Sequence, residues 1–270
     1  GSGAMFAEAI HSASDSGNQV LLLWGLKRAK RPPSMEHPLG HGKEIYFWSF
    51  IVALMLFSIG GLVSINEGLH KLQHPEPLEQ PWIAVGVLLF AAFAEGSALY
   101  GCIREVNKTR GDQSLWQWFR NSRQSELIVI FGEDLAALMG LSAALAAVVA
   151  TMVTGDPTWD ALGSCAIGVL LIVIAILLGK EVKDLLVGQG VEEHIRKDMI
   201  DFLEQQEEVG KVFNIVTLQM GPDTMVAVKA QLTAADGLHV ASHMINAVEQ
   251  RFRARYPQVA WLFFEPDVAD

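Results

Sequence analysis

The chain has 270 residues, 51% of them hydrophobic, with 30 Asp and Glu against 20 Lys and Arg and a formal charge of −10. A mean hydropathy of +0.29 is high for a water-soluble domain, so membrane spans are sought first. The acidic balance excludes the basic surface that nucleic acid requires, and Cys102 and Cys165, far apart in apolar runs, give no disulfide framework or CxxC zinc site.

In chain order, five apolar segments are predicted to span a bilayer, at about residues 4–26, 45–69, 82–103, 127–153 and 159–178. Most reach the ~20 residues a spanning helix needs. The first is the most polar, in its N-terminal half. The first connection carries Lys27, Arg28, Lys30, Arg31 and Lys43, and the third carries Arg104, Lys108, Arg110, Arg120 and Arg123. Lys180 and Lys183 follow the fifth span, whereas "HKLQHPEPLEQ" has one Lys and "TGDPTWD" has none. Basic residues stay in the cytosol, so connections one and three and the C-terminal part are expected there. Residue 1 then starts flush with the opposite side, and a further helix is expected upstream of it.

The last third alternates and is more polar. "EEHIRKDMIDFLEQQE" has helical periodicity, "KVFNIVTLQMG" and "DTMVAVKAQLT" read as strands joined at Gly221, Pro222 and Asp223, "GLHVASHMINAVEQRFRARY" is an amphipathic helix ended by Pro257, and "QVAWLFFEP" is a third strand. The expected fold is a membrane α-helical bundle over residues 1–188, followed by a small α+β ferredoxin-like domain, α-β-β-α-β, over residues 189–270.

Ionisable residues inside apolar segments are the candidates for chemistry. His11 and Asp15 are one helical turn apart, and imidazole and carboxylate both ligate zinc; a hydrogen-bonded pair used for packing is the alternative. Ser12, Ser14, Ser16, Asn18 and Gln19 suggest that this segment faces a wet cavity. Glu133 and Asp134 are adjacent, about 100° apart on a helix, so they do not aim equally at one ion. Asp134 completes a site with His11 and Asp15, leaving Glu133 as a fourth ligand or proton carrier. Glu95 is a third intramembrane acid, open between a structural hydrogen bond and proton handling. In the first connection, "PPSMEHPLGHGKE", His37 and His41 with Glu36 form a candidate accessory metal site, or a loop docked through its histidines. His70 with His74 and His239 with His243 are weaker pairs of the same spacing. No GxxxxGK[ST], HExxH or GxSxG is present, so ATP-driven pumping and hydrolysis lack their motifs.

These residues carry a resemblance to the cation diffusion facilitator family. The HxxxD of His11 and Asp15 resembles that family's second transmembrane helix, and "HPLGHGKE" resembles the loop after it. "EGLHKLQHPEPLE", "EGSALYGCIREVNKTRGDQSLWQWF" and "FGEDLAALMGL" are most similar to the zinc-transporter-nine branch. The resemblance covers essentially the whole chain, with the family's first helix absent. It implies a transport site of His11, Asp15 and Asp134. Many members have a second HxxxD; here Ile130 stands four residues before Asp134, and Glu133 is the replacement ligand. Ala230 and Phe264 stand where some bacterial members place histidines, so a zinc site in the small domain is not expected. The resemblance implies a non-enzymatic homodimer in the lipid bilayer, in a bacterial inner membrane, that exports a divalent metal by metal–proton antiport with alternating access. Zn2+ is the transported ion, with Fe, Co, Ni or Mn as alternatives, and no cofactor is expected. A membrane metal sensor or scaffold that does not transport is the other reading.

Overall fold

A computed structural model describes residues 3–75, 80–233 and 237–269, with side chains described from Ser16 onward. Helix α1 is Gly3–Ala29 and α2 is Glu44–Met55; a π-helical stretch, Leu56–Leu62, runs on into α3, Val63–Gln73. Then come α4, Pro81–Thr109; the short α5, Leu115–Asn121; α6, Ser125–Thr154; and α7, Thr158–Val187. The rest is α8, Glu193–Glu204; β1, Val209–Met220; β2, Asp223–Leu232; α9, Leu238–Arg255; and β3, Val259–Pro266. Two compact units emerge: Gly1–Lys27, Ile45–Arg120 and Ser125–Lys183 form one, and Arg28–Glu44, Asn121–Gln124 and Asp184–Asp270 form the other. The first connection therefore clusters with the C-terminal chain.

In the first unit, four helical segments among the described residues are long and apolar enough to cross a membrane: Glu44–Gln73, Pro81–Thr109, Ser125–Thr154 and Thr158–Val187. This corrects the expectation of five. Helix α1 is continuous and long, but the serines, Asn18 and Gln19 of its polar half dilute the apolar run beginning at Val20. Pro81 opens α4 at its first position, where a missing N–H costs nothing. Helix α7 runs past residue 178 because Leu178, Val182 and Leu185 keep one face buried at helical spacing. Arg120 reaches Glu181 on this extension at 3.2 Å.

Close approach of backbones holds the π-helical stretch and α3 against α7. A Cβ on Gly68 would lie 2.5 Å from Cys165 Sγ and 2.9 Å from the Ala161 carbonyl oxygen, and one on Gly168 would lie 2.8 Å from the Gly61 carbonyl oxygen. Lipid tails are as apolar as a leucine side chain, so packing of small residues drives association here. Lys71 Nζ donates to Asp160 Oδ2 at 2.9 Å at the end of this seam. Helix α4 packs along α6.

In the second unit, the sheet runs β1-β2-β3, with β1 antiparallel and β3 parallel to β2. Alternation places Val226, Val228 and Ala230 of β2 inward, where they meet Met199 and Leu203 of α8 and Val248 and Phe252 of α9. The β1–β2 connection is two residues, because Met220 pairs with Asp223, and Gly221 takes φ +72°. This is a small sheet-and-helix domain with the element order read from the sequence.

Candidate intramembrane cation site

Helix α6 is apolar over most of its 30 residues, yet Glu133 and Asp134 sit inside it, 7% and 8% exposed. Gly132 is buried beside them. Three consecutive buried positions cover about 200° of a helix, so α6 is enclosed on both sides here. Gly132 permits it: a Cβ there would meet Leu178 Cδ2 at 2.6 Å.

The neighbouring helix supplies a residue not singled out from the sequence. Asn18 of α1 is 3% exposed, and its Nδ2 donates to Glu133 Oε1 at 2.6 Å. Its Oδ1 is buried and finds no hydrogen-bond partner among the described residues. Of the polar stretch around it, Ser16 and Gln19 are exposed and Asn18 is enclosed. The sequence signal was its register, one and two helical turns after Asp15 and His11. His11 and Asp15 lie on α1, but their side chains fall outside the described residues. Glu95 is half-buried on α4. Ile130, one turn before Asp134, is half-buried.

In the first connection, the rings of His37 and His41 are 4.4 Å apart. His41 Nδ1 lies 2.7 Å from Glu44 Oε1, and Arg28 Nε donates to Glu44 Oε2 at 2.7 Å. The acid beside His41 is therefore Glu44, at the start of α2, whereas Glu36 is exposed. The loop closes on itself: Ser34 N–H donates to the His37 carbonyl at 3.0 Å, and His37 N–H to Ser34 Oγ at 3.1 Å. His70 and His74, ring centroids 5.1 Å apart, and His239 and His243, 4.5 Å apart, form exposed pairs. Among the described residues, no group of three or more His, Cys, Asp or Glu is placed to hold a metal.

Apolar spanning helices, buried acids within one of them and an appended sheet-and-helix domain define a multi-pass membrane protein with ionisable side chains inside a spanning helix. Residues 1–187 match the family model of the cation efflux transmembrane domain, and the chain belongs to the cation diffusion facilitator, or cation efflux, family. It is 31% identical over 223 residues to the mitochondrial proton-coupled zinc antiporter SLC30A9 of Xenopus laevis, covering 82% of this chain and 40% of the relative. It is 30% identical over 220 residues to metal tolerance protein C4 of Arabidopsis thaliana, covering 81% and 48%. It is 25% identical over 257 residues to the cation-efflux pump FieF of Serratia proteamaculans, covering 95% and 81%. The chain thus spans less than half the length of the frog and plant relatives.

Proposed function

We propose that this protein is a secondary transporter that exports a divalent cation, zinc foremost, in exchange for protons. The observation that carries the reading is the burial of Glu133 and Asp134 inside an apolar helix, with Asn18 of α1 donating to Glu133. A carboxylate at bilayer depth costs roughly 2.5–3.5 kcal/mol on insertion scales, a cost that a structural role alone rarely explains. His11, Asp15 and Asp134 form the transport site in this reading, with Glu133 as fourth ligand. Neutral imidazole and ionised carboxylate bind the metal, so protons compete with it and leave when it binds. Glu95, on the helix packed along α6, is the candidate for carrying a proton. Alternating access of a site between helices then exchanges metal for protons. The name of the frog relative, a zinc antiporter, supports zinc, and that of the plant relative supports a metal as the cargo.

The appended domain is read as ferredoxin-like, on its α-β-β-α-β order and its helices packed on one sheet face. We place it in the cytosol of a bacterial inner-membrane protein, and it pairs two copies into a homodimer. Val216 and Phe263, 52% and 55% exposed, flank Ala227 in one row across the sheet and support that pairing. Of the accessory-site candidates, His37 and His41 come together with rings 4.4 Å apart, and Glu36 is exposed, so the loop offers an accessory metal two histidines at most.

The test is zinc uptake into proteoliposomes under an imposed proton gradient. Gradient-dependent uptake in the wild type, absent in Asp15→Ala and Asp134→Ala with fold and dimer intact, is the expected result. No uptake of zinc or another divalent ion by a folded dimer overturns the reading in favour of a sensor or scaffold.

A further inference from the structure

We propose that Asn18 is a working member of the intramembrane cation site: its amide N–H groups hold the Glu133 carboxylate, and its carbonyl oxygen is a neutral ligand for the cation. The inference rests on the transport reading above. Three observations carry it. Asn18 is 3% exposed, although Val20 and Leu23 on the same helix are 63% and 65% exposed. Its Nδ2 bonds Glu133 Oε1 at 2.6 Å, across 115 residues of sequence. Its Oδ1 is buried with no hydrogen-bond partner among the described residues.

A buried amide oxygen without a donor calls for an explanation, and an unplaced ion is one. Packing supplies none, because a leucine would fill similar space without a polar atom. The amide orientation follows from chemistry. An ionised carboxylate only accepts, so the amide must offer it N–H, and the carbonyl is turned away from Glu133. That oxygen then sits on α1 one turn after Asp15, against the helix that carries Asp134. Beside Glu133, a carbonyl adds a hard oxygen donor without adding negative charge. Hard oxygen ligands favour smaller, harder cations over soft ones, so Asn18 contributes to the choice of zinc over cadmium.

The experiment compares the reconstituted wild type with Asn18→Leu, which removes both polar groups, and Asn18→Asp, which keeps an oxygen and loses the N–H donors. Zinc and cadmium uptake are each measured as KM and kcat. In Asn18→Leu the zinc KM is expected to rise about 10- to 100-fold, the range for lost support of a metal ligand, with cadmium affected less and the zinc-to-cadmium preference lowered. Asn18→Asp is expected to keep the wild-type preference. Wild-type KM and preference in Asn18→Leu overturn the proposal, as does equal impairment of both variants with unchanged preference, which marks a structural tie between helices. If the leucine variant fails to fold, Asn18→Ala takes its place: a raised zinc KM with a lowered zinc-to-cadmium preference supports the proposal, and wild-type values of both overturn it. A folded wild type that takes up neither cation overturns the transport reading, and this inference with it.

Discussion

Gly42 and Gly221 meet backbone to backbone. A Cβ on Gly221 would lie 2.5 Å from the Gly42 carbonyl oxygen, and one on Gly42 would run into the Met220 carbonyl oxygen. The connection that carries His37 and His41 is thereby seated on the β1–β2 turn, within one compact unit. Backbone cannot yield as a flexible side chain can, so Gly42→Ala must part the two segments. A loss of about 1–3 kcal/mol is expected for such overpacking. Hydrogen exchange over residues 37–44 and over the β1–β2 turn should rise together. Gly155→Ala is the control: Gly155 has φ +72° in open space, so only backbone strain of about 1 kcal/mol is added. Equal effects of the two substitutions would mean that the close approach is unimportant.

The seam between α3 and α7 makes a second prediction. Gly68→Ala drives a Cβ into Cys165 Sγ at 2.5 Å and the Cys165 nitrogen at 2.7 Å. Thermal stability in detergent is expected to fall by about 1–3 kcal/mol. Gly86 and Gly101 of α4 have nothing within 4 Å, so alanine there should be neutral or stabilising by up to about 1 kcal/mol through helix propensity. The contrast isolates packing from propensity, because all three positions are helical.

Tyr256 donates its hydroxyl to Asp198 Oδ2 at 2.6 Å and is 5% exposed. Burial first, then the hydrogen bond to Asp198 and its negative charge, pushes the phenol well above its ordinary value. Below pH about 10 the folded and unfolded chains both keep this proton; above it the unfolded chain ionises first. The stability is therefore fully present below that pH and is lost as pH rises toward the raised folded value. Denaturant unfolding between about pH 8 and pH 11 should show a steeper alkaline loss in the wild type than in Tyr256→Phe. At neutral pH the phenylalanine variant is expected to lose about 1 kcal/mol, because Asp198 is half-exposed and water takes over its hydrogen bond. Parallel alkaline slopes would show that Tyr256 does not govern them.

The secondary structure of the small domain was legible because its signals are local. Val226, Val228 and Ala230 alternate with outward residues, Gly221 and Pro222 mark the turn, and the residue before Pro257 ends α9. The spans were legible from apolar length, but their ends were not: α7 continues to Val187 on an amphipathic face that a hydropathy reading cuts short. The π-helical stretch at Leu56–Leu62 left no trace, since a segment apolar all round has no periodicity to break. The candidate site was legible as a set of residue types and not as a set of contacts. The acid facing His41 is Glu44, three residues on, yet Glu36 stands nearly as close in sequence. Asn18 looked like one more polar residue of a wet stretch, because its partner is 115 residues away.

The role of Glu133 can be separated from its burial by rebuilding the pattern that many members of the family carry. Ile130 stands one turn before Asp134, where a histidine would complete HxxxD on α6. If Glu133 is the fourth ligand, Glu133→Gln removes a charged donor and should lower zinc affinity by about 10-fold or more, while glutamine still occupies the space and can meet the Asn18 amide through its carbonyl. Ile130→His in the Glu133→Gln background then offers an imidazole from the same helix, and zinc uptake is expected to recover at least in part. Ile130→Ala in that background controls for space alone and should not rescue. Recovery with histidine and not with alanine identifies the defect as a missing ligand. No recovery, with zinc binding intact in Glu133→Gln but uptake no longer driven by the proton gradient, would instead make Glu133 a proton carrier that Asn18 holds beside the metal.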